Sequence, residues 1–240
     1  MNTNSNTYTV IYSTILVAVV AAVLAFVAKF LQPKQEANVK EDTVNQILTA
    51  AGIEVKEGSD VLQIYADSID VAILVKTDGA VADTLDTTKD NCKIYSTSDL
   101  KAQTVAQDAD RLLPVYIFKN GTTVIPCYGA GLWGPIWGYI GLDTDLETIK
   151  SVCFGHKGET PGLGAKIADD PNFAKSFIDK KIGKEADKFF EVCKPGMKQL
   201  NDLQHVDAIS GATITSQALG KTLNEWFGFY DKYLNQKEEK

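Results

Sequence analysis

The residues with the clearest capacity for chemistry lie at Asp207-Ala208-Ile209-Ser210-Gly211-Ala212-Thr213, followed at once by Ile214-Thr215-Ser216-Gln217. Ser210, Thr213, Thr215 and Ser216 crowd hydroxyl groups into this short stretch. Just beyond it Leu219, Leu223, Trp226, Phe227, Tyr230 and Leu234 recur at helical spacing, which predicts a long amphipathic helix starting here. Gly211 allows a positive φ in the turn that leads in, and Ala212 keeps bulk away from whatever approaches. A helix start offers unpaired N–H groups and the positive end of the macrodipole, so phosphate is a natural guest. The competing reading is an ordinary N-cap, for which Ser and Thr are the usual residues.

Two glycine-rich stretches are the other candidates for a ligand. One is Gly129-Ala130-Gly131-Leu132-Trp133-Gly134-Pro135, and the other runs from His156 through Glu159-Thr160-Pro161-Gly162-Leu163-Gly164 to Lys166. Gly and Pro at these positions fix an irregular backbone that can pass close to a flat ligand. Leu132, Trp133 and Leu163 offer such a ligand apolar surface, while Glu159, Thr160 and backbone N–H groups can meet its polar edge. Taken alone, each loop reads first as a structural connection. A Gly-x-Gly pair beside a strand is also a feature of dinucleotide loops, but the helix and downstream acid of that motif are missing.

The scaffold around these residues follows from hydrophobic pattern and turn chemistry. Val10 to Ala28 contains no charged residue and continues through Lys29 to Phe30 and Leu31. It meets the length of about 20 residues needed to cross a bilayer as a helix. A cleaved signal peptide would have a basic start, whereas residues 1–9 hold no Lys or Arg. A buried globular helix would carry a polar face, and only Tyr12, Ser13 and Thr14 offer one. The expectation is therefore a tail at 1–9, a membrane anchor at 10–31, a polar linker at 32–42 and one domain at 43–240. Val44, Ile47, Leu48 and Ala51 mark one face of a helix that Gly52 stops. Strands are predicted at Val71 to Val75, ending in an Asp78-Gly79 turn, and at Val115 to Phe118 and Thr122 to Tyr128 around Asn120-Gly121. Further strands are expected at Ile136 to Leu142 and Val152 to Phe154, with helices at Phe173 to Ile178 and Glu185 to Val192. Residues 80–112 are polar and weakly patterned and predict no definite element. The sum is an α+β fold, a mixed sheet with packed helices, behind one N-terminal transmembrane helix.

Composition narrows the function. With 24 Lys+Arg against 31 Asp+Glu, the net charge is −7 over 240 residues, and no basic run offsets it, which argues against nucleic acid as a partner. Cys92, Cys127, Cys153 and Cys193 include no Cys-x-x-Cys pair, so they read as ordinary thiols, with a disulfide open if the domain lies outside the cytoplasm. Only His156 and His205 are available as imidazoles, so no metal site is expected. No Ser-His-Asp or Cys-His constellation is visible, so no catalytic residue is assigned.

Together, the Glu-Thr-Pro-Gly-Leu-Gly string at Glu159 to Gly164 and the Asp-x-x-Ser-Gly-Ala-Thr string at Asp207 to Thr213 resemble the FMN-binding domain of membrane-bound bacterial respiratory flavoproteins. That family includes the C subunits of Na+-translocating NADH:quinone oxidoreductases and the G subunits of Rnf ferredoxin–NAD+ complexes. The Gly-x-Gly-Leu-Trp-x-x-x-x-Gly form at Gly129 to Gly138 is similar to the former. The resemblance covers nearly the whole chain and implies the following. FMN is held covalently, by a phosphoester to Thr213, with Leu132, Trp133, Glu159, Thr160, Gly162, Leu163, Gly164, Lys166, Ser210, Gly211, Ala212 and Thr215 around it. A separate flavin transferase attaches it and reads Asp207 first, although Asp207 reads equally as a structural residue near the helix start. The chain is an electron-transfer subunit, incomplete alone, between an iron–sulfur centre and a flavin in neighbouring subunits on the way to quinone. It sits in the bacterial inner membrane with the flavin domain periplasmic. Lys29, Lys34 and Lys40 on the C-terminal flank of the apolar run point the other way by the positive-inside rule. Two other classes stay open: a membrane-tethered non-redox binding module, and a self-sufficient reductase.

Overall fold

In a computed structural model, the described residues are 6–183 and 188–236. The first element is the helix α1, Asn6–Ala50. It is long and apolar enough to cross a membrane, and none of its most apolar window is buried. Of the expected tail, residues 6–9 already belong to this helix, and residues 1–5 lie outside the described residues. The expected linker at 32–42 is likewise helical. Its polarity reflects exposure and not irregular backbone, since Gln, Lys, Glu and Ala are good helix formers and Gln32 bonds Glu36 one turn on, at 2.8 Å. Pro33 is carried inside the helix.

The chain divides into two compact units, Met1–Asp42 and Thr43–Lys240. In the second, Val44, Ile47, Leu48 and Ala50 bury the last turns of α1. Gly52, at φ 73°, closes the helix: its N–H donates to the Thr49 carbonyl and that of Ile53 to the Leu48 carbonyl, the paired bonds of a Schellman ending.

Six strands form an antiparallel sheet: β1 Ile69–Val75, β2 Val81–Leu85, β3 Leu113–Phe118, β4 Thr123–Ala130, β5 Pro135–Leu142 and β6 Ile149–His156, in the order β2-β1-β3-β4-β5-β6. The Asn120-Gly121 hairpin is present, with Gly121 at φ 85° and the Phe118 N–H donating to the Thr122 carbonyl at 2.9 Å. A separate pair, β7 Glu191–Cys193 and β8 His205–Asp207, is parallel, so the two kinds of pairing expected of a mixed sheet occur in two sheets. Alternation along the strands buries both faces of the large sheet. Val115, Ile125, Cys127, Ile136, Ile140 and Phe154 face one core; Tyr116, Phe118, Val124 and Tyr139 face the other. The second core is closed by the end of α1 and by α2, Val61–Ser68. The first is closed by α6, Thr213–Leu234, with α3 (Thr97–Val105), α4 (Lys166–Asp169) and α5 (Pro171–Lys175) contributing. β2 and α3 fall in the stretch that predicted no definite element.

The helix expected at Glu185 to Val192 is not formed where it can be seen. Residues 184–187 lie outside the described residues, and Glu191 and Val192 begin β7. Phe189, Phe190 and Val192 are all buried, and the Asn224 side chain of α6 accepts the N–H groups of Phe189 and Phe190, so tertiary partners claim a backbone that a helix would need. No disulfide joins the four cysteines; Cys92, Cys127 and Cys193 are buried and Cys153 is half-buried.

Candidate functional site

The site is organised by the start of α6. Leu219, Leu223, Trp226, Phe227 and Tyr230 are buried as their spacing requires. Two long-range bonds fix the helix to the sheet: Trp226 Nε1 donates to the Tyr128 carbonyl at 2.8 Å and the Tyr230 hydroxyl to that of Pro114 at 2.7 Å. Gly129, at the end of β4, lies so close that an added Cβ would run into Thr222 of α6. The glycine-rich loop after β4 therefore leaves the sheet beside the first turns of α6.

The turn into the helix is equally defined. The Ala212 N–H donates to the Ile209 carbonyl at 3.0 Å, with Gly211 at φ 80° in the third position, as a type II turn requires. Ser216 locks this turn from within the helix, its hydroxyl accepting the Ile209 N–H at 3.0 Å and donating to the Ala212 carbonyl at 2.9 Å. The N-cap position is Ala212, with no side-chain cap. The ordinary reading, in which Ser210 or Thr213 caps the helix, is thus not what the residues do. The Thr215 hydroxyl donates to Glu159 Oε2 at 2.6 Å. Half-buried Thr213 has a hydroxyl bonded to none of the described residues.

A second turn faces the first. The Leu163 N–H donates to the Thr160 carbonyl at 3.1 Å, with Pro161 second and Gly162 third at φ 75°, again the type II signature. Leu163 reaches the other turn: a Cβ on Gly211 would lie 3.1 Å from its Cδ2. Between these turns and the loop after β4 lies a cleft of about 310 Å³. It is lined by Leu132, Trp133, Glu159, Thr160, Leu163, Gly164 and by Gly211 to Thr215. Its rim is apolar and open, with Trp133 69% and Ile214 61% exposed and Leu132 and Leu163 also exposed. A groove of about 780 Å³ runs along later turns of α6 past Lys221, Glu225 and Lys232, and holds none of the expected residues.

Most of the expected residues therefore meet in one cleft, but not all. Gly162, Lys166 and Ser210 do not line it. Gly162 works through its turn geometry, Lys166 is the first residue of α4, and Ser210 is exposed in the lead-in turn. Asp207 ends β8, exposed and 3.5 Å from His205 Nε2, and is also outside the cleft. Glu159 does not present a free polar edge: it is 4% exposed, and both oxygens are already engaged, Oε1 by the Trp133 N–H at 2.9 Å and Oε2 by Thr215. The sequence reading missed Ile214. Its signal was available, since it falls off the buried stripe of α6 and lies between two threonines.

The arrangement fits FMN. A half-buried hydroxyl stands at a helix start whose N–H groups no side chain caps, which suits a phosphate. Exposed Leu132, Trp133 and Leu163 can cover a flat ring while leaving part of it open. Among the described residues no cluster could hold a metal ion.

Comparison with known proteins points the same way. The FMN-binding domain family matches residues 131–228. The C subunit of the Na(+)-translocating NADH-quinone reductase of Haemophilus ducreyi is 30% identical over 215 residues, covering 84% of this chain and 81% of its own length. The Vibrio vulnificus C subunit is 29% identical over 209 residues, covering 82% and 81%. Among solved structures, the C subunit of the Na(+)-translocating NADH-quinone reductase from Parabacteroides distasonis superposes with a TM-score of 0.71 at 33% identity, over 86% of this chain and 98% of that one. Shewanella oneidensis NqrC gives 0.67 at 27% identity, over 85% and 100%.

Proposed function

This chain belongs to the family of Na(+)-translocating NADH-quinone reductase C subunits, and from that premise we propose that it holds one FMN covalently, through its phosphate, on Thr213. The observation that carries the assignment is the division of labour among the hydroxyls at the start of α6. Thr215 and Ser216 are buried and engaged, Ser210 lies outside the cleft, and of these four only Thr213 lines it with no partner among the described residues.

When bound, FMN supplies one-electron transfer, and the protein supplies attachment, orientation and access. In this reading the α6 N-terminus neutralises the phosphate. Leu132, Trp133 and Leu163 flank the ring, and the open rim lets redox partners approach. The relay runs from an iron–sulfur centre to a flavin in neighbouring subunits of a sodium-translocating NADH:quinone reductase, so the chain does not turn over alone. Residues 10–31 anchor it in the bacterial inner membrane, 32–42 join that anchor to the flavin domain at 43–240, and the domain lies on the periplasmic side. A flavin transferase installs the cofactor, and exposed Asp207 at the end of β8 is accessible to it.

Expression with a flavin transferase tests this reading. The wild-type chain should give a yellow band that survives denaturation, and Thr213→Ala should give a folded, colourless protein. Peptide mapping that placed the flavin on Thr215 would overturn the assignment.

A further inference from the structure

Glu159 is the most constrained polar group beside the cleft. The residue is 4% exposed, and no ion pair among the described residues includes it. Burying a carboxylate against two neutral donors is a poor source of stability, since desolvation of the charge offsets what the bonds return. Its bonds join the site's three segments. Oε1 accepts the N–H of Trp133 in the loop after β4, Oε2 accepts the hydroxyl of Thr215 in the first turn of α6, and the Glu159 N–H donates to His156 Nδ1 at 3.2 Å. The slot that holds the carboxylate is walled by two glycines. A Cβ at Gly131 would lie 2.5 Å from Oε1, and one at Gly164 would run into Oε2.

The Trp133 contact is divided between backbone and side chain. Its backbone is pinned by a buried charge while its indole is left exposed on the rim. Thr215 lies two residues beyond Thr213 on the same turn. One carboxylate thus fixes the origin of the exposed indole relative to the free threonine hydroxyl.

We propose that Glu159 is the positioning residue of this site: it contacts the Trp133 backbone and Thr215, and through them sets the place of the indole over a flavin carried on Thr213. This rests on the flavin reading above. Because Glu159 lines the cleft, its negative charge would disfavour added electrons on a flavin held there and so would hold the flavin potential down.

The test uses the full chain with Glu159→Gln, which keeps the shape of the side chain and removes its charge. In a flavin-free Thr213→Ala background, hydrogen exchange at the Trp133 amide should accelerate about tenfold, as a charge-assisted bond gives way to a neutral one. Thr215→Val should accelerate it as well, and Thr215→Ser, which keeps the hydroxyl, should restore wild-type protection. In the flavin-loaded protein, Glu159→Gln should leave flavin content unchanged and shift the midpoint potential upward. Unchanged exchange at Trp133, or an unchanged potential, overturns the proposal. Failure of the flavin reading itself would appear in the wild-type chain, as absence of flavin from Thr213, and leaves the exchange measurement as the deciding test of the positioning role.

Discussion

At the scale of single residues, the site depends on which hydroxyl is left over. Four stand close in sequence; backbone and side-chain partners remove Thr215 and Ser216 from contention, and Ser210 lies outside the cleft. Because Thr213 is half-buried and makes no such bond, Thr213→Ala should change stability by no more than about 0.5 kcal/mol, the range of surface substitutions away from special features. Denaturant unfolding of the flavin-free proteins measures this. Trp133→Ala removes an exposed indole from the rim and about 1 kcal/mol of aromatic stacking. Under the proposed covalent attachment the flavin stays in place, so the change should appear in flavin fluorescence and midpoint potential, with flavin content unaltered. If all of these stayed at wild-type values, the loop would belong to a structural role or to contact with a partner. The motif around Thr213 is legible in the sequence because it is contiguous. The engagement of Glu159 could not, because Trp133 and Thr215 reach it from segments far apart in the chain.

Secondary-structure elements were legible where local pattern and burial agree. The stripe on α6, the apolar runs in β3 to β6 and the Asn120-Gly121 turn all state their environment directly. Reading failed where tertiary partners decide, as in residues 188–193. There Asn224 accepts the N–H groups of Phe189 and Phe190 and β8 pairs with residues 191–193, an outcome that the strand-favouring Phe189, Phe190 and Val192 also suit. Glu191 ties β7 to the connection that precedes β8, its carboxylate accepting the N–H groups of Gln199 and Leu200 at 2.8 and 3.1 Å. Burial pushes its carboxyl up, but the Lys188 ammonium and the N–H groups of Gln199 and Leu200 outweigh this and hold it down to about 2, from an ordinary value of 4.5. A depressed carboxylate contributes stability above its unfolded value and loses that contribution as pH falls through its folded one. Thermal stability should therefore decline as pH drops from about 4.5 toward 2. Glu191→Gln should be less stable at neutral pH and show a shallower decline over that window. An identical pH profile for the two proteins would show that Glu191 does not carry the dependence.

For the whole molecule, two claims rest on different kinds of signal. The apolar run at 10–31 announces itself by composition, and in the structure it belongs to an exposed helix. The proposed orientation runs against the flanking Lys29, Lys34 and Lys40, which by the positive-inside rule favour the cytoplasmic side. C-terminal reporter fusions, one active only in the cytoplasm and one only outside it, should place the domain outside. A cytoplasmic signal would mean that Lys29, Lys34 and Lys40 govern the topology. The central claim, that this chain is a covalent flavin carrier, is tested most directly by the intact mass of the purified protein made with and without a flavin transferase. With the transferase, the mass should rise by one FMN less one water, and the increment should vanish without the transferase and in Thr213→Ala. A chain that kept its unmodified mass in the presence of an active transferase would contradict the account.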